Sequence, residues 1–118
     1  MRLLRASRSA AAAVACASFT LVCVQGAAEA GDAKAGRKTV EEVCAVCHGA
    51  DGLSKVPEAP NLAGQNEGYI IAQLGAFKSG ARVNEQMSVV IKDLKDADIE
   101  NVAAYYAAIP ISVGKPPE

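Results

Sequence analysis

The spacing of apolar and polar residues predicts a chain of short helices. Asp32 stands where an N-cap residue would begin a first helix, and Val40 and Val43 fall at positions i and i+3 on one face of it. From Tyr69 onward, apolar residues recur at helical spacing and predict a second helix: Ile70, Ile71, Leu74 and Phe77. Gly80 then stands where a C′ glycine would end that helix.

The C-terminal part of the chain predicts further helical turns. Residues 87–94 carry apolar side chains at a spacing that suggests one or two turns. A better-marked helix follows, with Asp96 as its cap and Pro110 as its end. The apolar stripe of that helix consists of Ile99, Val102, Ala103 and Tyr106.

Residues 49–68 contain glycine and proline too often for a regular element, which predicts a loop. No alternation of period two is long enough to indicate a β-strand. The expected fold class is therefore all-α, with about four short helices.

The first 30 residues have the three-part pattern of a cleavable signal peptide. Arg2, Arg5 and Arg8 form a basic start, residues 10–24 are apolar, and Ala28-Glu29-Ala30 has the small-x-small pattern of a cleavage site. A buried helix or a membrane anchor is the alternative, but 15 apolar residues fall short of the roughly 20 that span a bilayer. The sequence therefore predicts removal of residues 1–30 and export to the periplasm.

Cleavage would also remove Cys16 and Cys23 and leave Cys44 and Cys47. Lipidation of Cys16 or Cys23 is a minor alternative, because the residues before them fit a lipoprotein cleavage site poorly. The remaining chain divides into a predicted domain, residues 31–110, and a flexible tail, residues 111–118. Nine Lys and Arg against twelve Asp and Glu give these residues a net charge of −3, and nothing in that balance indicates nucleic-acid binding.

The predicted domain has little large apolar material for a core. Its aromatic residues are Tyr69, Phe77, Tyr105 and Tyr106, and it has no tryptophan. Domains of this size are only marginally stable, because little of their surface is buried on folding. A large apolar ligand held inside would supply the missing buried surface.

The segment Cys44-Ala45-Val46-Cys47-His48 is a C-x-x-C-H haem-attachment motif. The two cysteines are about one helical turn apart, so both sulfurs face the same side and can form thioethers with one porphyrin. His48 lies beside the second anchor, where its imidazole can reach the iron. The motif occurs once, so the sequence predicts one covalent haem c.

A thioredoxin-type disulfide and half of a zinc site are the alternatives for C-x-x-C. The first needs a βαβ setting, and the second needs four ligands. His48 is the only histidine of the chain. The disulfide alternative therefore lacks the strands of a βαβ unit, and the zinc alternative lacks ligands.

Met87 is the candidate for the sixth iron position. It is the only methionine after Met1, and a loop and a helix separate it from His48. A lone methionine on a helical stripe is more often a core residue. Once a histidine-ligated haem is granted, however, Met/His ligation is the common arrangement in cytochromes c. The predicted metal ligands are thus His48 and Met87.

Over residues 32–109 the sequence resembles class I c-type cytochromes, in particular the short monohaem periplasmic carriers and a single domain of a related dihaem cytochrome. The matching segments are residues 44–52, residues 60–65, Tyr69, Gln73-Leu74, residues 77–80, Met87, residues 96–99 and residues 103–106. The resemblance implies a class I cytochrome c fold wrapped round the haem. It also implies that the Pro60 carbonyl accepts a hydrogen bond from Nδ1–H of His48.

By the same resemblance, Gly36 is the glycine at which the first helix crosses the last, near Val102 and Tyr105. Two positions depart from the family pattern. Val40 stands where larger relatives often have an aromatic residue, and Lys95 stands where the short carriers often have a serine cap. The second departure moves the expected cap to Asp96.

The expected function is single-electron transfer between redox-partner proteins, a donor and an acceptor, without enzymatic activity. The protein is expected to be a monomer, soluble or loosely membrane-associated. A haem c subunit of a periplasmic dehydrogenase complex is the alternative, and an enzyme or gas sensor requires an iron that Met87 does not bind. Three cations are candidates for a positive rim around the haem edge: Lys55, Lys78 and Arg82.

Overall fold

The computed structural model describes residues 30–117, and every regular element in that part of the chain is helical. In chain order these elements are α1 (Ala33–Thr39), a π-helical segment (Val40–Cys44), α2 (Ala45–His48), α3 (Glu67–Ser79), α4 (Met87–Val90) and α5 (Asp96–Ala107). The first three follow one another without a break, so four separate helical bodies result. The all-α expectation is confirmed. The predicted signal peptide, residues 1–30, lies outside the described residues except for Ala30.

The first helix begins as predicted and then widens. The Asp32 carboxylate accepts from the backbone N–H groups of Lys34 and Ala35, at 2.8 and 3.2 Å. At the C-terminal end of the π-helical segment, the Ala45 N–H donates to the Val40 carbonyl, five residues back. The sequence pattern gave no sign of this wide turn.

The wide turn keeps one side of the helix buried. In a regular helix of 3.6 residues per turn, positions 36 and 48 would lie about a third of a turn apart. A π-helical turn takes up one additional residue and so reduces this drift. Gly36, Val40 and His48 are all buried.

Gly36 allows α1 and α5 to cross in close contact. A Cβ at Gly36 would overlap the backbone carbonyl of Asn101 and approach the Val102 nitrogen. The Asn101 side chain also accepts from the Asp32 N–H at 2.7 Å, which fixes the start of α1 on the same helix. The structure therefore confirms Gly36 as the glycine of the helix crossing.

Helix α3 has the predicted end and an earlier start. Gly80 has a left-handed conformation, with φ of +79°, and ends the helix after Ser79. At the other end, the Asn66 side chain accepts from the Tyr69 N–H at 2.9 Å and acts as the N-cap. The helix thus begins at Glu67, two residues before the predicted start.

The prediction that Asp96 caps α5 is wrong. The N-cap position is Lys95, which makes no side-chain cap hydrogen bond, and Asp96 is the first helical residue. The Asp96 carboxylate instead binds the Lys78 ammonium at 2.7 Å. An ion pair with the end of α3 therefore replaces the local cap.

Two apolar clusters form the core of the described residues, and α5 contributes to both. The first joins α5 to the π-helical segment and α3, and its buried members are Val40, Ile70, Val102, Ala103 and Tyr106. The second lies between α3, α5 and the residues after α4, and its buried members are Phe77, Ile91 and Ile99. Within residues 30–117, no helix has the length and apolar character needed to cross a membrane.

Candidate haem site

The cysteine motif continues directly from the π-helical segment. Cys44 is its last residue, and Cys47 lies in α2. Both cysteines are free and partly buried. Burial raises the pKa of the Cys44 thiol to about 11, so this sulfur is protonated at neutral pH. Val46, between the two cysteines, is 77% exposed, which places it on the opposite side from the core.

The His48 ring is buried and fixed at one nitrogen. Its exposed fraction is 7%, and Nδ1 lies 2.9 Å from the Pro60 carbonyl oxygen. Because a carbonyl can only accept, Nδ1 carries the proton in this hydrogen bond. In the neutral ring this leaves a lone pair on Nε2, which is the tautomer that a metal-binding histidine requires. The predicted contact between His48 and Pro60 is present.

Gly49 turns the chain away immediately after the histidine. Its φ of +74° lies in the left-handed region, and a Cβ there would overlap the Leu53 carbonyl. The loop returns to the motif six residues after Gly49, where the Lys55 N–H donates to the Cys47 carbonyl at 2.8 Å. The backbone of the cysteine motif is thereby held from the loop side.

The loop also fixes the residues that follow Pro60. The Asn61 side chain accepts from the Ser54 N–H at 2.7 Å. The Leu62 N–H donates to the Gly52 carbonyl at 2.8 Å. These bonds hold the segment whose carbonyl accepts from His48, although residues 49–66 contain no helix.

Two tyrosine hydroxyls complete the polar contacts around the motif, and the sequence predicted only packing positions for these two residues. Tyr105 donates to the Ala50 carbonyl at 2.8 Å, and Tyr106 donates to the Gly49 carbonyl at 3.1 Å. Burial raises the pKa of the Tyr106 phenol, so the hydroxyl stays protonated and can donate. The only sequence signal was the pair of adjacent tyrosines itself.

Met87 lies in a different environment. It is the first residue of α4, is half-buried, and packs against the second cluster. Its backbone N–H donates to the Asn84 side chain at 2.9 Å, which fixes the start of α4. Ile71 and Leu74 of α3 pack against both clusters. Helix α3 therefore packs against both the histidine region and the methionine region.

The predicted positive rim is not supported. Lys55 pairs with Asp51 at 2.9 Å, and this contact lowers the pKa of the Asp51 carboxyl. Lys78 pairs with Asp96 and also donates to the Leu94 carbonyl at 2.6 Å. Only Arg82 has no carboxylate partner among the described residues; its guanidinium lies 4.5 Å from the centre of the Phe77 ring and donates to Gln73.

The two alternatives for the cysteine motif gain nothing from the geometry. Among residues 30–117, no group of three or more His, Cys, Asp and Glu side chains could hold a metal ion. That part of the chain also has no strand from which a βαβ unit could be built. The donor set that is present comprises two thiols and one imidazole, and it fits covalent haem attachment.

Comparisons with known proteins point in the same direction. A family model described as cytochrome c matches residues 33–108. Cytochrome c4 of Pseudomonas aeruginosa is 45% identical over 85 residues, which are 72% of this chain and 42% of that protein. Cytochrome c-554(548) of Halomonas halodenitrificans is 38% identical over 82 residues, which are 67% of this chain and 98% of that protein.

A solved structure shares the fold. The crystal structure of reduced recombinant cytochrome c4 from Pseudomonas stutzeri matches with a TM-score of 0.65 and 41% identity. The match covers 72% of this chain and 49% of that chain. This chain spans less than half the length of the cytochrome c4 relatives that it matches.

Proposed function

The chain belongs to the cytochrome c family and has the class I cytochrome c fold, and on that premise we propose that it is an exported monohaem carrier of single electrons whose iron is ligated by His48 and Met87. The observation that carries the proposal is the buried His48 ring, with Nδ1 bonded to the Pro60 carbonyl directly after the two free cysteines. Haem c, when bound, supplies the one-electron iron couple. The other roles belong to the chain.

Cys44 and Cys47 would anchor the haem through thioethers, and His48 would bind the iron through Nε2. The Pro60 carbonyl holds the imidazole in the required tautomer and orientation. The Lys55 N–H holds the backbone at Cys47, and the Pro60 carbonyl holds the His48 ring.

Met87 is proposed as the sixth ligand because its position and chemistry suit that role. It is half-buried, at the start of a short helix, and faces the cluster that shares Ile71 and Leu74 with the histidine side. If His48 and Met87 both bind the iron, no position would remain on it for a substrate. The protein would therefore transfer electrons without acting as an enzyme.

Export to the periplasm and removal of residues 1–30 also form part of the proposal. Thioether haem attachment in c-type cytochromes is completed outside the cytoplasmic membrane, which agrees with the leader pattern. The mature protein would consist of the domain, residues 31–110, and the tail, residues 111–118. Residues 111–117 are exposed, although the Ile111 side chain lies close to Gly64.

The proposed partners are redox proteins, a donor and an acceptor, that meet the carrier in brief encounters. Gel filtration of the native extract tests this part of the proposal. A free carrier elutes as a monomer, whereas elution in a large complex contradicts the free carrier and supports the dehydrogenase subunit.

The central experiment combines intact mass and a pyridine haemochrome spectrum of the native protein. The proposal predicts a chain that begins near Gly31, with one haem added and the spectrum of a haem held by two thioethers. A mass equal to that of the bare polypeptide contradicts haem binding, and a mass that retains the leader contradicts cleavage after Ala30.

A further inference from the structure

Two adjacent tyrosines of α5 reach two adjacent carbonyls next to the proposed iron ligand. Tyr106 donates to the Gly49 carbonyl, and Tyr105 donates to the Ala50 carbonyl. Neighbouring residues of a helix point about 100° apart. Both hydroxyls nonetheless end on the two residues that follow His48. The rings contact each other edge to face, with 5.5 Å between their centroids.

These bonds link the residues after His48 directly to a different helix, α5. The Gly49 carbonyl has one further donor, the Gly52 N–H at 3.1 Å, and that donor belongs to the same loop. The tyrosines instead belong to α5, which is packed against α1 and α3. They therefore connect this segment directly to the packed helices of the protein.

We propose that Tyr105 and Tyr106 are positioning residues for the axial histidine, because their hydroxyls hold the Gly49 and Ala50 carbonyls and thereby the rotation of the His48 ring. The inference rests on the proposed function, in which His48 binds iron. The Pro60 carbonyl fixes one ring nitrogen, and the tyrosines fix the backbone that leaves the ring. The Pro60 bond restrains rotation of the ring about Cβ–Cγ, and the tyrosines restrain the backbone from which the side chain projects; without the second restraint, the imidazole can shift together with its backbone.

The test uses Tyr105→Phe and Tyr106→Phe in the haem-loaded protein, because phenylalanine keeps the ring packing and removes only the hydroxyl. Tyr69→Phe is the matched control, since Tyr69 is half-exposed on α3 and its hydroxyl has no hydrogen-bond partner among the described residues. Haem content is measured first by the pyridine haemochrome spectrum. The proton shifts of the haem methyl groups in the oxidised protein then report the orientation of the imidazole plane, and amide exchange reports the local backbone.

The proposal predicts that each α5 variant keeps its haem, changes the pattern of haem methyl shifts, and shifts the reduction potential beyond any change in Tyr69→Phe. Exchange of the Lys55 amide, which donates to the Cys47 carbonyl, should become about fivefold faster, as expected for one lost hydrogen bond. Amides of α1 should not change by this factor.

Unchanged methyl shifts and potential in both α5 variants, with or without a loss of stability, overturn the proposal and leave the tyrosines a purely structural role. The same result follows if Tyr69→Phe produces equal changes. If Tyr106→Phe fails to fold, Tyr105→Phe decides, because Tyr105 is only partly buried. A wild-type protein without haem would instead contradict the proposed function, and the haemochrome measurement separates the two failures.

Discussion

The histidine and methionine regions of the molecule are built in different ways. In the histidine region, residues 33–64, several backbone groups bond to α5 or within the loop, and the region contains the fully buried Val40. The methionine region, residues 80–94, starts with seven exposed residues and continues into a helix of only four. Ile91 is its only buried residue.

This difference indicates that the methionine region depends more on contact with the haem for its stability than the histidine region does. In the histidine region, hydrogen bonds and a helix crossing hold the backbone. The methionine region buries little apolar surface of its own, and its stability would come largely from contact with the haem.

The largest effect is expected when the haem anchors are removed. The double variant Cys44→Ala/Cys47→Ala should accumulate very poorly, because the apoprotein lacks a ligand to complete its core. The measurement is the yield of folded, haem-containing protein. Val46→Ala is the matched control, since Val46 lies in the same motif but is 77% exposed, and it should keep a normal yield. Normal accumulation of a folded, haem-free double variant would contradict the prediction.

A smaller loss is expected at the helix crossing that supports the histidine region. Gly36→Ala places a Cβ against the Asn101 carbonyl and should lower the free energy of unfolding by about 3 kcal/mol, because backbone must move apart. Denaturant unfolding of the holoprotein measures this. Gly68→Ala is the control: the residue is helical and exposed, and its Cβ would meet only the Asn66 side chain, at 3.4 Å. Equal losses in both variants would show that the crossing has no special role.

How much of this could be predicted depended on the range of the interactions. Local signals were sufficient for the Asp32 cap, the loop after His48 and the Gly80 end of α3. The Tyr105 and Tyr106 bonds could not be predicted, because they join positions 55 and 57 residues apart and use backbone carbonyls, which every residue has. The sequence gives no residue-type signal for such acceptors.

The error at Asp96 has the same cause. An aspartate at the start of a helix is a good cap by local rules, but Lys78 lies 18 residues earlier and reaches it after α3 and α5 pack. The wide turn between Val40 and Cys44 was missed for another reason. Its residues are compatible with a regular helix, and only the need to bury both Gly36 and His48 distinguishes the two conformations.

At the methionine region, Met87→Ala should leave the haem attached and open the sixth position. Thioether sulfur favours ferrous iron, so its loss should lower the reduction potential, and the variant should bind cyanide or carbon monoxide readily. Truncation of the half-buried side chain should also cost about 1–2 kcal/mol of stability, below the range for fully buried methionine. The control is Val89→Ala, at an exposed position on the same helix. It should change neither the reduction potential nor the binding of cyanide or carbon monoxide. If Met87→Ala keeps its potential and the sulfur-to-iron absorption band, Met87 is only a core residue.

The smallest effect is expected at the contact that joins the two ends of the methionine region. Lys78 connects the end of α3 to the Leu94 carbonyl and to Asp96, at 2.6 and 2.7 Å. The Asp96 carboxylate is largely exposed, so water and salt weaken the attraction, and Lys78→Met should cost only about 0.5–1 kcal/mol. Part of this loss should disappear at high salt, because screening removes the ion pair but keeps the bond to the Leu94 carbonyl. Lys38→Met is the control, since its ammonium lies 3.9 Å from Glu42 on an exposed face and should contribute nothing measurable. Equal unfolding midpoints for the Lys78 and Lys38 variants would show that Lys78 does not stabilise the junction between α3 and α5.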